Sequence, residues 1–452
     1  MKRQESTQIN NTIEGIKYHI VTYGCQMNEH ESQKIAARLE DMGFRHTAEK
    51  AEAGLIVLNT CCVRENAENK IIGNIGALKH LKEKNRSLKI VVCGCMTQQE
   101  AIAQKVYKTF PFVDLVLGTH NLGQLPQLLA QNMQEGKRRL ELLAQPESVA
   151  DEAAVSAATG PAAFANIMYG CNNYCSYCIV PTVRGPERSR KPERIIEEIC
   201  RLLEQGAREV TLLGQNVNSY GKELGVTFAQ LLERICKETP AERIRFMTSH
   251  PKDLSDGLIA AMARYPQIAR HIHLPVQSGS TRILSLMNRK YTREEYLFLI
   301  NKLRAAMPGI TITTDIIVGF PGETEEDFAE TISLVQNVRF EAAYTFVYSK
   351  RSGTVAAEMK EQIPQAVKKD RIVRLVALQN RITEEIDQSY VGSVQRVLVE
   401  GASTRSKKHV TGRADGGKTV NFAGDAAMIG NFINVRITQG KKTTLFGEAE
   451  GN

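Results

Sequence analysis

The sequence predicts an α/β protein in three parts: an amino-terminal parallel α/β domain, a central partial (β/α)6 barrel and a small carboxyl-terminal all-β barrel. Three observations carry that expectation. Short β-rich apolar runs alternate with helix-length segments in two separate series. Between the series lies a stretch of charged and small residues, and after Tyr390 the helices stop while glycines become frequent. A chain of 452 residues also has room for three domains of roughly 150 residues each.

Composition sets the outer limits. Apolar residues make up 42% and charged ones 24%, ordinary for a globular protein with a sizeable core. No apolar run approaches the roughly 18 to 20 residues that span a bilayer. The opening Met-Lys-Arg-Gln-Glu-Ser is not followed by a hydrophobic segment, so the expectation is a cytoplasmic protein with no membrane partner. Ten cysteines in a reducing compartment point to metal binding or catalysis ahead of disulfides. The net charge of +8 permits an acidic partner such as RNA without specifying one.

The first series occupies residues 16–133. Its strand candidates are Ile20–Tyr23, Leu55–Leu58, Ile90–Val92 and Val113–Leu117, with helical patterns from Ser32 to Met42, through Lys82, and between the last two strands. Residues 134–161 lose this pattern and read as an interdomain linker. The second series occupies 162–388, with strand candidates Ala165–Met168, Val210–Leu213, Ile244–Met247, Ile272–Leu274, Ile310–Val318 and Ala343–Val347. Six β/α units suit a partial barrel whose active site lies at the carboxyl ends of its strands. Periodic Ile372, Leu375, Val376, Leu378 and Ile382 predict a helix leaving that barrel.

Residues 390–452 carry five strand candidates, Val394–Val399, Val410–Arg413, Val420–Ala423, Phe432–Ile437 and Thr443–Gly447, at the spacing of a small barrel. Nine Lys or Arg stand here against five Asp or Glu. The densest basic spots, Arg405-Ser406-Lys407-Lys408 and Lys441-Lys442, suit the phosphates of RNA, and equally suit a solvated surface.

Chemistry concentrates in two sets of cysteines. Cys171, Cys175 and Cys178 form a C-x3-C-x2-C trio directly after the first strand of the second series. Three thiolates on one loop can hold three irons of a cubane iron–sulfur cluster and leave the fourth open to chemistry. A structural zinc site wants four closed ligands, and no further Cys or His follows at zinc-ribbon distance. Cys25, Cys61 and Cys95 each fall just past the carboxyl end of a predicted strand. Successive strand ends of a parallel sheet lie on one edge about 5 Å apart, which makes a second three-thiolate cluster site an expectation. Taken singly, each of these cysteines reads more often as a small buried core residue, and it is the repeated strand-end position that points to a site. Cys62 and Cys93 are their neighbours, and alternation along a strand predicts that Cys93 and Cys95 point to the same side, which puts Cys93 in position to line the site. Cys200 and Cys236 fall on apolar helix faces and read as core.

The trio, with aromatic Tyr177 just before its last member, resembles the signature of radical S-adenosylmethionine enzymes. Together with the segments Thr22–Asn28, Asn59–Arg64 and Gly94–Gln98 and the terminal barrel, it makes the chain look like the methylthiotransferase family from about residue 16 onward. That resemblance implies an amino-terminal cluster domain, a radical S-adenosylmethionine barrel and an RNA-binding TRAM domain. It implies two 4Fe-4S clusters, an auxiliary one on Cys25, Cys61 and Cys95 and the radical one on Cys171, Cys175 and Cys178. The words Tyr-Gly-Cys-Gln-Met-Asn, Cys-Val-Arg-Glu-Asn-Ala-Glu and, at residues 184–190, Arg-Gly-Pro-Glu-Arg-Ser-Arg resemble the branch that adds a methylthio group to C2 of N6-isopentenyladenosine next to the anticodon of tRNA. Relatives that act on threonylcarbamoyladenosine, or on an aspartate of a ribosomal protein, typically carry Lys-Val-Asn or Pro-Lys-Asn where this chain has Gln26-Met27-Asn28.

By the same resemblance S-adenosylmethionine is used twice per turnover, once to methylate a sulfur at the auxiliary cluster and once as the source of a 5′-deoxyadenosyl radical, with the two cysteine trios opening towards each other. The implied partners are the tRNA anticodon stem-loop, a sulfur donor and an external reductant such as flavodoxin or ferredoxin, acting on a monomer. Superfamily analogy directs Gly214, Gln215 and Asn216 to the methionine end, Gln277 and Ser278 to the ribose, and the segment Asp315–Glu323 with Gly319 to the adenine; each is also what a plain strand-to-helix turn contains. Arg184, Arg188, Lys407 and Lys408 are directed to RNA phosphates, the arginines alternatively to the cofactor's carboxylate or to ion pairs. His250, His271 and His273 read as structural histidines. Two other functions stay open: methylthio transfer to threonylcarbamoyladenosine or to a ribosomal-protein aspartate, and an iron–sulfur RNA-binding regulator without turnover.

Overall fold

The computed structural model describes residues 14–62, 65–145, 160–403, 406 and 408–451. They form two compact units, one comprising the described residues up to 145 with 169–171 and 179–187, the other comprising 160–168, 172–178 and everything from 188. No helix among them is long and apolar enough to cross a membrane.

The first unit is built on a six-stranded sheet of β1 (Lys17–Thr22), β2 (Arg45–His46), β3 (Leu55–Thr60), β4 (Lys89–Gly94), β5 (Leu115–Leu117) and β6 (Arg139–Glu141). The order is β2-β1-β3-β4-β5-β6 and every pairing is parallel. Central strands with unbroken apolar runs, residues 55–58 of β3 and 90–93 of β4, must bury both faces. Leu55, Val57 and Val91 pack against Ile35, Leu39, Leu125 and Leu129 on one side, while Ile56, Leu58, Ile90 and Val92 pack against Ile71, Ile75, Ala103 and Val106 on the other. Strand β6 lies inside the stretch that reads as linker. Arg-Leu-Glu has no β signature of its own, and it is held as a short charged edge strand by its pairing with β5.

In the second unit, β7 (Ala162–Asn166) is followed in the chain by the two-residue strands β8 (Met168–Tyr169) and β9 (Arg188–Ser189), then by β10 (Glu209–Leu213), β11 (Arg243–Phe246), β12 (His271–His273), β13 (Thr311–Val318) and β14 (Ala342–Val347). The six expected barrel strands are parallel throughout but fall into two three-stranded sheets, β11-β10-β7 and β12-β13-β14. A single parallel bridge, Ile244 to Ile268, marks the seam. Helices cover the outer face, with Ile195, Leu231, Ile235, Ile259, Leu303, Leu334 and Leu375 packed against Val210, Leu212, Ile244, Phe246, Ile272, Ile312 and Ile316. Capping boxes at Thr227 with Gln230, Thr292 with Glu295, and Thr324 with Asp327 fix three of the helix starts. Because those apolar residues point outward, the alternate residues Glu209, Arg243, Arg245, His271, His273, Thr311, Thr313 and Asp315 face inward.

The closing strands β15 (Val394–Ala402), β16 (His409–Ala414), β17 (Thr419–Ala423), β18 (Phe432–Lys441) and β19 (Thr444–Ala449) form a closed barrel in the order β15-β16-β17-β19-β18 around Val397, Val410, Val420, Phe422, Val435 and Leu445. Its β16–β17 turn docks on the amino-terminal ends of the larger barrel's strands. Arg243 Nη1 donates to Asp415 Oδ1 at 2.7 Å, and Arg245 donates to the Ala414 and Asp415 carbonyls at 2.7 and 2.9 Å. Both guanidinium groups also meet Glu209, buried among them. Deeper in the same joint, buried Lys418 is paired with Asp387 and Glu341. Gly416 rests on Thr311, where an added Cβ would come within 2.5 Å of Oγ1. Gly416→Ala is therefore expected to cost about 1–3 kcal/mol by overpacking. Thermal melting of the full chain checks this against Gly401→Ala, whose added Cβ meets nothing within 4 Å and which is expected to melt as the parent does.

Candidate functional site

The three amino-terminal cysteines lie where the sheet says they should. An open parallel sheet of this order reverses direction between β1 and β3, and ligands bind at the carboxyl edge of such a switch point. Cys25 is the extended residue that opens the helix Gln26–Asp41, and its carbonyl accepts from Asn28 and Glu29 at 2.9 and 3.1 Å. Cys61 follows β3 and Cys95 follows β4. Two glycines make the approach possible. Gly24 has φ +112°, and a Cβ there would sit 2.5 Å from Cys61 Sγ, so only glycine lets that thiol lie against the turn bearing Cys25. Gly94 has φ +105°, and its Cβ would strike the Thr60 carbonyl at 2.4 Å, the oxygen to which the Cys95 amide donates at 3.0 Å.

That same Gly94 overturns the expectation that Cys93 and Cys95 share a side. The positive φ breaks the alternation of the strand. Cys93 packs with Tyr18, Val91, Leu117 and Leu125 in the core, where burial pushes its thiol pKa up. Cys62 takes the neighbouring place instead, buried with Cys95, Ile179 and Val183. The hydrogen bond from Cys62 is the largest influence holding the Cys95 thiol below its usual range, and nearby Arg184 adds to it.

Asn28 clamps this edge. Its Nδ2 donates to the Tyr23 and Thr60 carbonyls at 2.8 and 2.9 Å, tying the turn after β1 to the end of β3. Its Oδ1 accepts from Arg184 Nη2 at 3.0 Å. Arg184 is directed by sequence to RNA phosphates, to the cofactor's carboxylate or to a surface ion pair; in the structure it is buried and pairs with Glu31, Nη1 to Oε1 at 2.7 Å and Nη2 to Oε2 at 3.3 Å. The segment that carries it is anchored by Thr119 Oγ1 donating to the Val183 carbonyl at 2.7 Å. Arg190, in the same word, is also buried, on Glu198 and the Asn166 carbonyl. Arg188 is half-buried, Lys408 is exposed, and Lys407 lies outside the described residues.

Of the second trio, half-buried Cys171 follows Gly170, whose φ of +76° brings the chain so close to the Pro186 carbonyl that a Cβ would lie 1.9 Å from it. The Cys171 amide donates to the Gly185 carbonyl at 3.2 Å. Cys175 and Cys178 are half-buried, and the Cys178 amide donates to the Cys175 carbonyl at 2.9 Å. Ser176 pins their loop through its amide and hydroxyl to the Met287 and Leu286 carbonyls, at 3.0 and 2.9 Å. Tyr177 packs on Ile283, Met287, Phe320 and Tyr348. Sequence reasoning missed Arg289. Buried, it donates to Cys175 Sγ at 3.6 Å, to the Tyr291 hydroxyl at 2.8 Å and to the Pro275 carbonyl at 2.6 Å.

The segments assigned to S-adenosylmethionine stand at strand ends of the same barrel and are well braced. Gly214 leaves room for Met168, Gln215 is half-buried, and Asn216 donates to Asp253 Oδ2 at 2.7 Å. Gln277 has φ +71° and exchanges backbone bonds with Asp315 and Ile317, while Ser278 Oγ accepts from the Ser280 amide at 3.2 Å. The Gly319 and Phe320 amides donate to Glu323, whose carboxyl burial pushes up to about 7. Burial drives the pKa of His250 down to about 2, and its ring lies edge-on to Tyr291.

Among the described residues no three Cys, His, Asp or Glu side chains stand as ligands of one metal ion. A cubane cluster asks for something else, one thiolate on each of several irons. Three thiols on adjacent strand ends, braced by Asn28 and faced by a buried cation, fit such an anionic group.

Residues 17–118 match the uncharacterized protein family UPF0004, residues 165–335 the Radical SAM superfamily and residues 388–449 the TRAM domain. Among solved structures, the radical S-adenosylmethionine methyltransferase TsrM of Kitasatospora setae, with cobalamin and a 4Fe-4S cluster bound, is similar over 76% of this chain and 77% of its own, with a TM-score of 0.56 at 14% identity. The class that the central part of the chain defines is thus the Radical SAM superfamily, and the likeness to TsrM is one of fold. The tRNA-2-methylthio-N(6)-dimethylallyladenosine synthase of Acetivibrio thermocellus is 51% identical over 432 residues, 95% of this chain and 90% of its own. That of Clostridium perfringens is 50% identical over 442 residues, 97% of this chain and 99% of its own. The chain belongs to the tRNA-2-methylthio-N(6)-dimethylallyladenosine synthase family.

The Arg184–Glu31 pair supplies a direct test of this edge. Side chains only 7% and 10% exposed leave either partner stranded when the other is removed. Arg184→Met is expected to cost about 3–5 kcal/mol. Adding Glu31→Gln should recover much of that, as read by urea unfolding of the metal-free chain.

Proposed function

We propose that this chain is a radical S-adenosylmethionine methylthiotransferase that adds a methylthio group to C2 of N6-isopentenyladenosine next to the anticodon of tRNA. Identity near 50% over almost the whole of both chains, with relatives bearing that activity in their name, is the observation that carries the reading. The arrangement of its cysteines supports it. Cys171, Cys175 and Cys178 would hold one 4Fe-4S cluster, and Cys25, Cys61 and Cys95 a second. When bound, the first supplies the electron that cleaves S-adenosylmethionine and the second presents an exchangeable sulfur, which is why each trio leaves one iron without a protein ligand.

The chain's own contribution is positioning and charge. Arg184 and Arg289 set fixed positive charges beside Cys95 and Cys175, in surroundings where a cation acts more strongly than it does in water. Two molecules of S-adenosylmethionine serve each turnover, with Gly214, Gln215 and Asn216 towards the methionine, Gln277 and Ser278 towards the ribose and Gly319 towards the adenine. Arg188, Lys407 and Lys408 face the phosphates of the anticodon stem-loop. A sulfur donor and a reductant such as flavodoxin or ferredoxin complete the set of partners, and the enzyme works as a cytoplasmic monomer.

Anaerobic turnover of the reconstituted full chain with S-adenosylmethionine and dithionite, followed by nucleoside mass analysis, tests the reading. The expected product is the 2-methylthio nucleoside, formed on tRNA carrying the isopentenyl group and absent from tRNA lacking it. Product on threonylcarbamoyladenosine would reassign the substrate, and absence of 5′-deoxyadenosine would make the protein a binder without turnover.

A further inference from the structure

The turn after β13, Gly319–Glu323, is held from the helix Gln365–Ser389 by two charged side chains that no sequence motif points to. Gly319 has φ +71° and Gly322 has φ +78°. Two left-handed glycines in five residues let the backbone come close to a flat ligand, and they make the turn costly to order. The order is supplied from outside. Glu323 bends back to accept from the Gly319 and Phe320 amides at 2.5 and 3.1 Å. Arg371 Nη1 then donates to Glu323 Oε1 at 3.2 Å and to its carbonyl at 3.1 Å. Lys368, three residues earlier on the same helix face, lays its stem on Gly319, where an added Cβ would lie 2.4 Å from Cγ. Its Nζ donates to the Tyr348 carbonyl at 3.0 Å.

Both cations are buried, Lys368 at 7% and Arg371 at 4% exposure. Buried charges are costly unless their partners are in place, so two of them spent on one short turn mark its shape as something the fold maintains. On its other side the turn meets the core. The Phe320 and Tyr348 rings lie edge to face with centroids 5.5 Å apart, and both pack with Ile283, Met287 and Tyr177. Tyr177 immediately precedes Cys178, so the turn and the cysteine loop share one packed cluster. That link favours the small cofactor served by the loop, over RNA, as the ligand of the turn.

We propose that Arg371 and Lys368 are positioning residues for S-adenosylmethionine, holding the Gly319–Glu323 turn in the shape that receives its adenosine end. The inference rests on the cofactor reading above and extends it to a helix outside the strand-end turns. Neither side chain touches the cofactor; each acts through the turn. Arg371 does so by charge and hydrogen bonds, Lys368 by packing, so the two can be removed independently. A turn ordered in advance spares binding the entropy of ordering it, and a single residue's backbone is worth about tenfold in affinity.

The test uses the reconstituted full chain, with equilibrium dialysis of labelled S-adenosylmethionine and electron paramagnetic resonance of the reduced protein at saturating S-adenosylmethionine. Arg371→Met combined with Glu323→Gln removes the charge pair without stranding a buried carboxylate, and Lys368→Ala removes the stem on Gly319. Each variant is expected to bind S-adenosylmethionine about tenfold more weakly. At saturation each should give the parent's spectrum, because the methionine end is untouched; a general folding defect would not preserve it. Parent affinity in either variant would overturn the proposal, and so would an altered spectrum at saturation. An equal or larger loss of affinity for a synthetic anticodon stem-loop containing N6-isopentenyladenosine would also overturn it, by assigning the turn to RNA. Parent protein that binds no S-adenosylmethionine would instead remove the cofactor reading on which the proposal stands.

Discussion

The rest of this structure depends on one geometric constraint: in a parallel sheet, residues far apart in the chain converge only where neighbouring strands end. Cys25, Cys61 and Cys95 are brought to one edge because β1, β3 and β4 are adjacent and run the same way. The strand ends alone would leave the thiols at the mercy of their turns. Gly24 and Gly94, in backbone conformations that side chains disfavour, let the turns close on Cys61 and Thr60. Asn28 then stitches two of the ends together through two hydrogen bonds, and its Oδ1 accepts a third from Arg184.

The second unit inverts the usual economy of a barrel. Its outer face is apolar and covered by helices, while its inner face carries Glu209, Arg243, Arg245, His271, His273, Thr311, Thr313 and Asp315. At the floor, two arginines and Glu209 are kept buried by the carbonyls of a turn from the small terminal barrel, so that barrel completes the larger one besides whatever it binds. Buried charges of this kind cost a great deal unless every partner is present. That is why Asp415, Gly416 and Gly417 are tied so closely to Arg243, Thr311 and His271.

Much of this was legible in the residues. Apolar runs separated by helix-length segments gave the strands of both α/β parts, and the C-x3-C-x2-C spacing gave the radical site its class. Three things were not legible, each for a physical reason. Strand β6 is polar and exists through its neighbour. The opposite fates of Cys93 and Cys95 turn on the φ of Gly94, which alternation along a strand does not include. Arg184 read as a cation for RNA, for the cofactor or for an ion pair and Arg289 carried no signal at all, because their partners Glu31 and Cys175 lie 153 and 114 positions away and only folding brings them near.

The central claim is that the chain holds two clusters on two separate trios of cysteines. Iron analysis and Mössbauer spectroscopy of anaerobically reconstituted protein test it most directly, comparing the parent with a variant in which Cys25, Cys61 and Cys95 are all alanine. The account predicts about eight irons per chain in the parent and about four in the variant, both as 4Fe-4S clusters. Four irons in the parent, or an iron content that the triple substitution leaves unchanged, would contradict it.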